Sequence, residues 1–243
     1  MTKNDAIQPQ VTESGMLGLA LNILASPSEA FSAIHKRPSK LFPLALICLF
    51  TMVTMFWYFN IVDYGWYIDD TIAGNGSMDE EQQEVAREAM GSISQNTMMY
   101  LGTFGSVISL VLIYVLQAGY LSLASAINGD KNKFTHWFSL VCWTSLPSLL
   151  SVLGMMVNIA ISPNGQLSVY DLSPLTLTNL GLQSSNGSVQ TLMNSLNLTM
   201  IWSVVLIIIA YKQWLGSSMN KALGVVLAPY ILIFSTWAYF ALT

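Results

Sequence analysis

Five continuous apolar runs, all close to the length that crosses a lipid bilayer, constrain this chain more than any other feature. They cover residues 41–62, 98–127, 137–161, 196–211 and 222–242. An unpaired backbone amide in hydrocarbon costs several kcal/mol, so a crossing segment is a helix or part of a closed barrel. The runs lack the period-two alternation of barrel strands and therefore read as helices. Only 9% of the residues are charged, against roughly 25% in an ordinary soluble domain, and nearly all of them fall between the runs. The expected fold is all-α, a polytopic membrane protein with five transmembrane helices. The second run is too long for a hydrocarbon core of about 30 Å at 1.5 Å per residue, so tilt or protrusion follows. The fourth is the shortest.

Orientation follows from the basic residues. With five spans, Lys3, Lys36, Arg37, Lys40, Lys131, Lys133, Lys212 and Lys221 share the N-terminal side, and Arg87 alone lies opposite. Adding or removing a span scatters this partition. The positive-inside bias then places the N-terminus in the cytoplasm and the C-terminus on the far side.

Ahead of the membrane domain at 41–242, residues 1–15 are polar and aperiodic, as expected of a disordered cytoplasmic tail. Residues 16–40 form a cytoplasmic amphipathic or interfacial segment. Its first part, Met16 to Leu24, is too short to span, and Asp5 and Glu13 ahead of it do not make the basic start of a signal peptide. A surface-lying or packed helix is expected there. Ser26-Pro27-Ser28-Glu29 then reads as a capping box, opening a helix with Ala30, Phe31 and Ile34 on one face and Ser28, Ser32 and His35 opposite. Such a helix before a span usually lies at the membrane interface.

Two loops face outward. At the first, Trp57, Tyr58, Tyr64, Trp66 and Tyr67 suggest an aromatic belt at headgroup depth. Gly74-Asn75-Gly76 is a turn, and Ser77 with Glu80 reads as a second capping box. The helix that follows has Val85, Ala89 and Ile93 on one face. Its acids, Asp79, Glu80, Glu81, Glu84 and Glu88, form a solvated face; they lack the Asp/Asn and Gly spacing of a calcium loop. The second loop, 162–194, is expected to be ordered but irregular, with a short helix begun at Ser173-Pro174. Asn75, Asn186 and Asn197 match the short glycosylation pattern, which carries no meaning in a bacterium.

Residues that do chemistry are scarce. His35 and His136, the two histidines, have no partner that the sequence can assign, and there is no zinc-protease motif, phosphate-binding glycine loop or paired-cysteine site. Cys48 and Cys142 sit inside apolar runs as small buried side chains. These absences point to a non-enzyme without metal or cofactor and away from nucleic acid. Inside the runs the polar candidates are Gln117, Asn158 and Asn197, read either as interhelical hydrogen bonds or as a transport path. Pro147 interrupts the third run and frees the Trp143 carbonyl, with Ser145, Ser148 and Ser151 at hand to satisfy it. Gly102, Ser106 and Ser109, then Ala118, Ser122 and Ala126, form a small-residue packing stripe on the second.

Several segments in order resemble the Yip (Ypt-interacting protein) domain family, in its compact prokaryotic form. They are Ser26 to Phe31, Lys36-Arg37-Pro38, and Gly129 to Phe134. Phe138-Ser139-Leu140, Ser145 to Leu150, Ser195 to Leu198 with Ile201-Trp202, Ser217-Ser218 and Lys221-Ala222 complete the set. The resemblance implies five membrane helices behind a cytoplasmic tail. Eukaryotic members look like Golgi and endoplasmic-reticulum factors that contact Rab-type GTPases and vesicle machinery. This chain lacks their long tail and has Asn197 where aspartate is common, which favours a bacterial inner membrane over a trafficking role.

The function expected is a membrane-organising or partner-binding scaffold. Lys36, Arg37, Lys40, Lys131 and Lys133 would face anionic lipid, with a second copy or other membrane proteins as partners. The alternative is a transporter or channel component with a polar path near Gln117, Asn158 and Asn197.

Overall fold

The computed structural model describes residues 15–74, 78–162 and 164–242. The tail up to residue 14 and the segment holding Asn75, Gly76 and Ser77 lie outside the described residues. The chain is all-helical: α1 (Met16–Ala25), α2 (Pro27–Lys36), α3 (Leu41–Ile61), α4 (Tyr64–Ala73), α5 (Glu80–Gly91) and α6 (Gln95–Ile127), followed by α7 (Phe134–Thr144), α8 (Ser148–Ile161), α9 (Gly187–Ser195), α10 (Leu198–Leu215) and α11 (Met219–Leu242). Among the described residues four helices, α3, α6, α10 and α11, are each long and apolar enough to cross a membrane. The pair α7–α8, bent by 41° at Pro147, is long and apolar enough only when its two helices are taken together, as a broken span or a re-entrant loop, which brings the candidate spans to between four and five. The chain is an integral membrane protein.

Proline placement explains several boundaries. Pro27 begins α2, where a missing N–H costs nothing, and Pro43 sits in the first turn of α3 for the same reason. Pro147 breaks the third span. The carbonyl it frees, that of Trp143, takes a bond from the Leu146 amide at 3.2 Å, so a tightened backbone turn does what the nearby serines were expected to do. Ser145 Oγ donates instead to the Val141 carbonyl at 2.8 Å.

Several sequence expectations need correction. Ser26 precedes α2 as read but makes no side-chain cap; its amide closes α1 by donating to the Asn22 carbonyl at 2.8 Å. The second capping box is formed by Asp79 and Gln82, since Asp79 Oδ1 takes the Gln82 amide at 2.8 Å and the Gln82 side chain returns to the Asp79 amide. On α5 the inward face is Ala86 and Met90, and Val85 is exposed. The aromatic belt is divided: Tyr58 and Tyr67 are buried in the core, where Phe59 stacks edge-on with both. No helix starts at Ser173. Its hydroxyl is held by Ser151 and Asn197, and Pro174 packs against Gly154, whose missing Cβ would lie 2.6 Å from the proline ring. The loop's helix is α9 instead, capped by Asn186.

Packing runs through α3 and α6, which lie along one another, with α7 against α6 and α8 against α3. Gly102 makes the α3–α6 approach possible, because a Cβ there would overlap the Phe59 ring. Ala118 of the expected small-residue stripe is buried, but Ser109 and Ala126 are exposed; the helix buries Met99, Thr103, Tyr114, Ala118, Leu121 and Ser125. The face is set by the large residues that fill the core as much as by the small ones. α10 packs between α7, α8 and α11, and α2 crosses its C-terminal end. The apolar face of α2 (Ala30, Phe31 and Ile34) is thereby buried in protein.

Candidate interaction face at the basic end

The fold gathers the described lysines and Arg37 at one end of the bundle. The α2 helix, the α6–α7 loop and the α10–α11 junction meet there through side chains far apart in sequence. Gln213 donates to the Ser28 carbonyl and to Ser32 Oγ, both at 2.8 Å, and the Trp214 indole donates to the Phe31 carbonyl at 3.0 Å. These bonds clamp α2 across the end of α10. From the other side, the α6–α7 loop contributes Asn132, whose Oδ1 lies 2.8 Å from His35 Nε2.

Both histidines converge on this end. Their ring centroids lie 5.9 Å apart, edge to face, and His35 stacks on Trp214 at 4.8 Å. Trp137 packs between Tyr211 and Trp214, and Asn128 reaches the Tyr211 hydroxyl at 3.4 Å. The sequence showed His35 and His136 as separate residues and could not pair them. Among the described residues no group of three or more His, Cys, Asp or Glu side chains is placed to hold a metal. His136 Nδ1, Trp137 Nε1 and Ser217 Oγ are buried without a hydrogen-bond partner, so the fold leaves polar capacity unused here. An open crevice of about 500 Å³ beside Trp214 is bordered by Asp130, Ser217, Ser218 and Lys221.

Around this cluster stands the rim. Lys36, Arg37, Lys131 and Lys133 are all exposed, with Lys133 directly before α7. Lys40 differs, since its ammonium lies over the Phe138 ring at 5.8 Å. Every described lysine is at this end, on α2, the α6–α7 loop or the α10–α11 junction, or directly before α3.

The opposite end is closed by its own loops. The Tyr58 hydroxyl donates to the Leu167 carbonyl, Ser168 Oγ donates to Asp70, and Tyr64 donates to the carbonyls of Met90 and Ile93. Gly165, at φ +66, seats the second loop on the end of α3; any Cβ would strike the Ile61 carbonyl. Burial pushes the Tyr67 phenol above its ordinary pKa, with Tyr64 and Tyr170 adding to the effect. Arg87 bonds Asp69 at 3.0 Å and Glu84 at 3.2 Å, and those bonds, Asp69's first, raise its already high pKa further.

The three polar span residues fall in two places. Asn158 donates to the Asp171 and Leu172 carbonyls at 3.0 and 3.2 Å, tying down the loop that follows α8. Asn197 caps α10 by accepting from the Thr199 amide and hydroxyl, and it donates to Ser151 Oγ at 2.7 Å and Ser173 Oγ at 3.0 Å. Gln117 belongs to the other half of the molecule, donating to the Tyr230 hydroxyl of α11 at 2.6 Å. The crevice beside Trp214 and a void of about 10 Å³ near Tyr58 have none of the three in their walls.

Comparison with known proteins agrees with this architecture. A family model described as the Yip1 domain matches residues 21–240. The Bacillus subtilis (strain 168) protein named membrane protein YknW is 24% identical over 220 residues, covering 89% of this chain and 87% of that relative. No solved structure matches. With the match running from α1 to the last turns of α11, this chain belongs to the Yip1 domain family.

Proposed function

We propose that this is a non-enzymatic membrane protein that organises the bilayer or binds partners through its basic end. In this reading it resides in a bacterial inner membrane, with the basic end and the N-terminus in the cytoplasm and the C-terminus in the periplasm. One contrast carries it: Gln117, Asn158 and Asn197 are bonded within the fold, whereas Lys36, Lys131 and Lys133 stand exposed together at one end of the bundle. Each rim cation near an anionic leaflet contributes about 1 kcal/mol of attraction. The other reading, a small-solute or ion transporter, needs those three polar side chains along one path. They occupy two separate regions, so it gains no support from them.

The test is crosslinking in native membranes, followed by purification of the tagged full chain and mass spectrometry. A reproducible partner or self-adduct, lost when Lys36, Lys131 and Lys133 are changed to Glu, is the expected result. Recovery of no reproducible partner and no self-association overturns the reading.

A further inference from the structure

Of the two helices in the segment read from sequence as interfacial, α2 has its apolar face consumed by the protein. The short helix before it shows the opposite. α1 buries Ile23 completely and packs Leu19 and Ala20 against the core, but Leu17, Leu21 and Leu24 point away, 72%, 68% and 42% exposed. Their spacing of four and then three residues sets them in a single row along one side of the helix. α1 contains no charged residue, and Asn22 is its one strongly polar side chain. A helix that is apolar all round belongs in apolar surroundings, and the protein supplies those on one side only.

Position identifies what lies on the other side. Met16 Sδ sits 4.0 Å from Ser39 Oγ, two residues before the first span begins at Leu41, itself 75% exposed. The leucine row therefore starts at the level where the lipid-facing surface of α3 starts. Lys36 stands exposed in the same segment, as expected at the depth of anionic headgroups.

We propose that α1 is a lipid-surface helix, its Leu17–Leu21–Leu24 row inserted at the headgroup–acyl boundary of the leaflet at the basic end. At 1.5 Å per residue it is about 15 Å long, and it adds apolar volume to that leaflet alone. It is the part of this chain that acts on lipid without crossing it. The proposal deepens the membrane-organising reading and rests on the basic end lying at a bilayer surface. It does not depend on which leaflet that is, so a failed orientation leaves it standing.

The experiment places a benzophenone amino acid at Leu17, Leu21 or Leu24 of the full chain in phosphatidylethanolamine–phosphatidylglycerol nanodiscs, with Leu112 of α6, exposed on the span surface, as the lipid-facing reference. Irradiation should give phospholipid acyl adducts from the α1 positions as it does from Leu112. Adducts to a second copy instead overturn the proposal, because the row is then a protein interface. Absence of adducts from all three positions, while Leu112 labels lipid, also overturns it, because the row then faces water. Independently, changing Leu17 and Leu21 together to Ser should raise hydrogen exchange of the α1 amides about tenfold in nanodiscs while α2 stays protected. Unchanged α1 exchange contradicts the proposal, and loss of α2 protection as well reports unfolding of the whole end, in which case the crosslinks decide.

Discussion

The Tyr120 hydroxyl donates to the carbonyl of Val225 across 2.6 Å, and that carbonyl is the one Pro229 leaves without its helical donor. A proline in a membrane helix is tolerated where a neighbour satisfies the freed group, and α6 supplies that neighbour to α11. Tyr120→Phe should therefore cost about 1 kcal/mol, within the range for such bonds in membranes. In a Pro229→Ala background the helix regains its own donor, and the same change should cost close to nothing. Equal costs in both backgrounds, measured by unfolding in mixed micelles, would show that the bond does not serve the proline.

Asn197 makes a second prediction. It caps α10 through its oxygen and holds Ser151 and Ser173 through its nitrogen. Asn197→Ala removes both functions and should cost about 2–3 kcal/mol. Asn197→Asp keeps the cap, and the two serine hydroxyls can rotate to donate to the carboxylate, so its cost should be under about 1 kcal/mol. Aspartate faring as badly as alanine in chemical denaturation would contradict this account of the site.

Two glycines on α6 should behave oppositely. Gly102 meets the Phe59 ring, and Gly105 meets nothing within 4 Å. Gly102→Ala forces the ring aside and should destabilise by about 1–3 kcal/mol, with partial recovery on Phe59→Leu. Gly105→Ala should be neutral or stabilising by up to about 1 kcal/mol from helix propensity. Thermal melts in detergent compare the two directly.

At the acidic end, the raised Tyr67 pKa gives a pH dependence of known sign. The folded state holds the phenol proton more tightly than the unfolded state does. The contribution is thus fully present below the unfolded value of about 10 and is lost as pH rises through the folded value. Melting temperature should fall above about pH 10, and Tyr67→Phe should shallow that fall. An unchanged slope in the variant would assign the alkaline loss to other groups.

The spans were legible because hydrocarbon imposes a length and a composition that no soluble helix needs. The five runs match α3, α6, α7–α8, α10 and α11 within a few residues, and the break falls at Pro147. What the sequence hid were long-range pairings. The amphipathic pattern of α2 is the same whether its face meets lipid or α10, so periodicity could not choose between them. The α4 helix is capped by Asp63 and carries Tyr64, Tyr67, Ile68 and Ile72 at helical spacing, but aromatics just past a span read equally as a membrane belt. His35 and His136 meet only because α2 folds back over the α6–α7 loop, and no local signal encodes that return.

The most direct test of a working surface at the basic end is site-specific photocrosslinking in intact cells. A crosslinker at Lys36, Lys131 or Lys133 is compared with one at Glu81 or Glu88 of the acidic helix. The account predicts reproducible adducts, to inner-leaflet lipid and to one partner or a second copy, from the lysine positions and not from the glutamates. Adducts confined to the glutamate positions, or equally frequent at both ends, would contradict it.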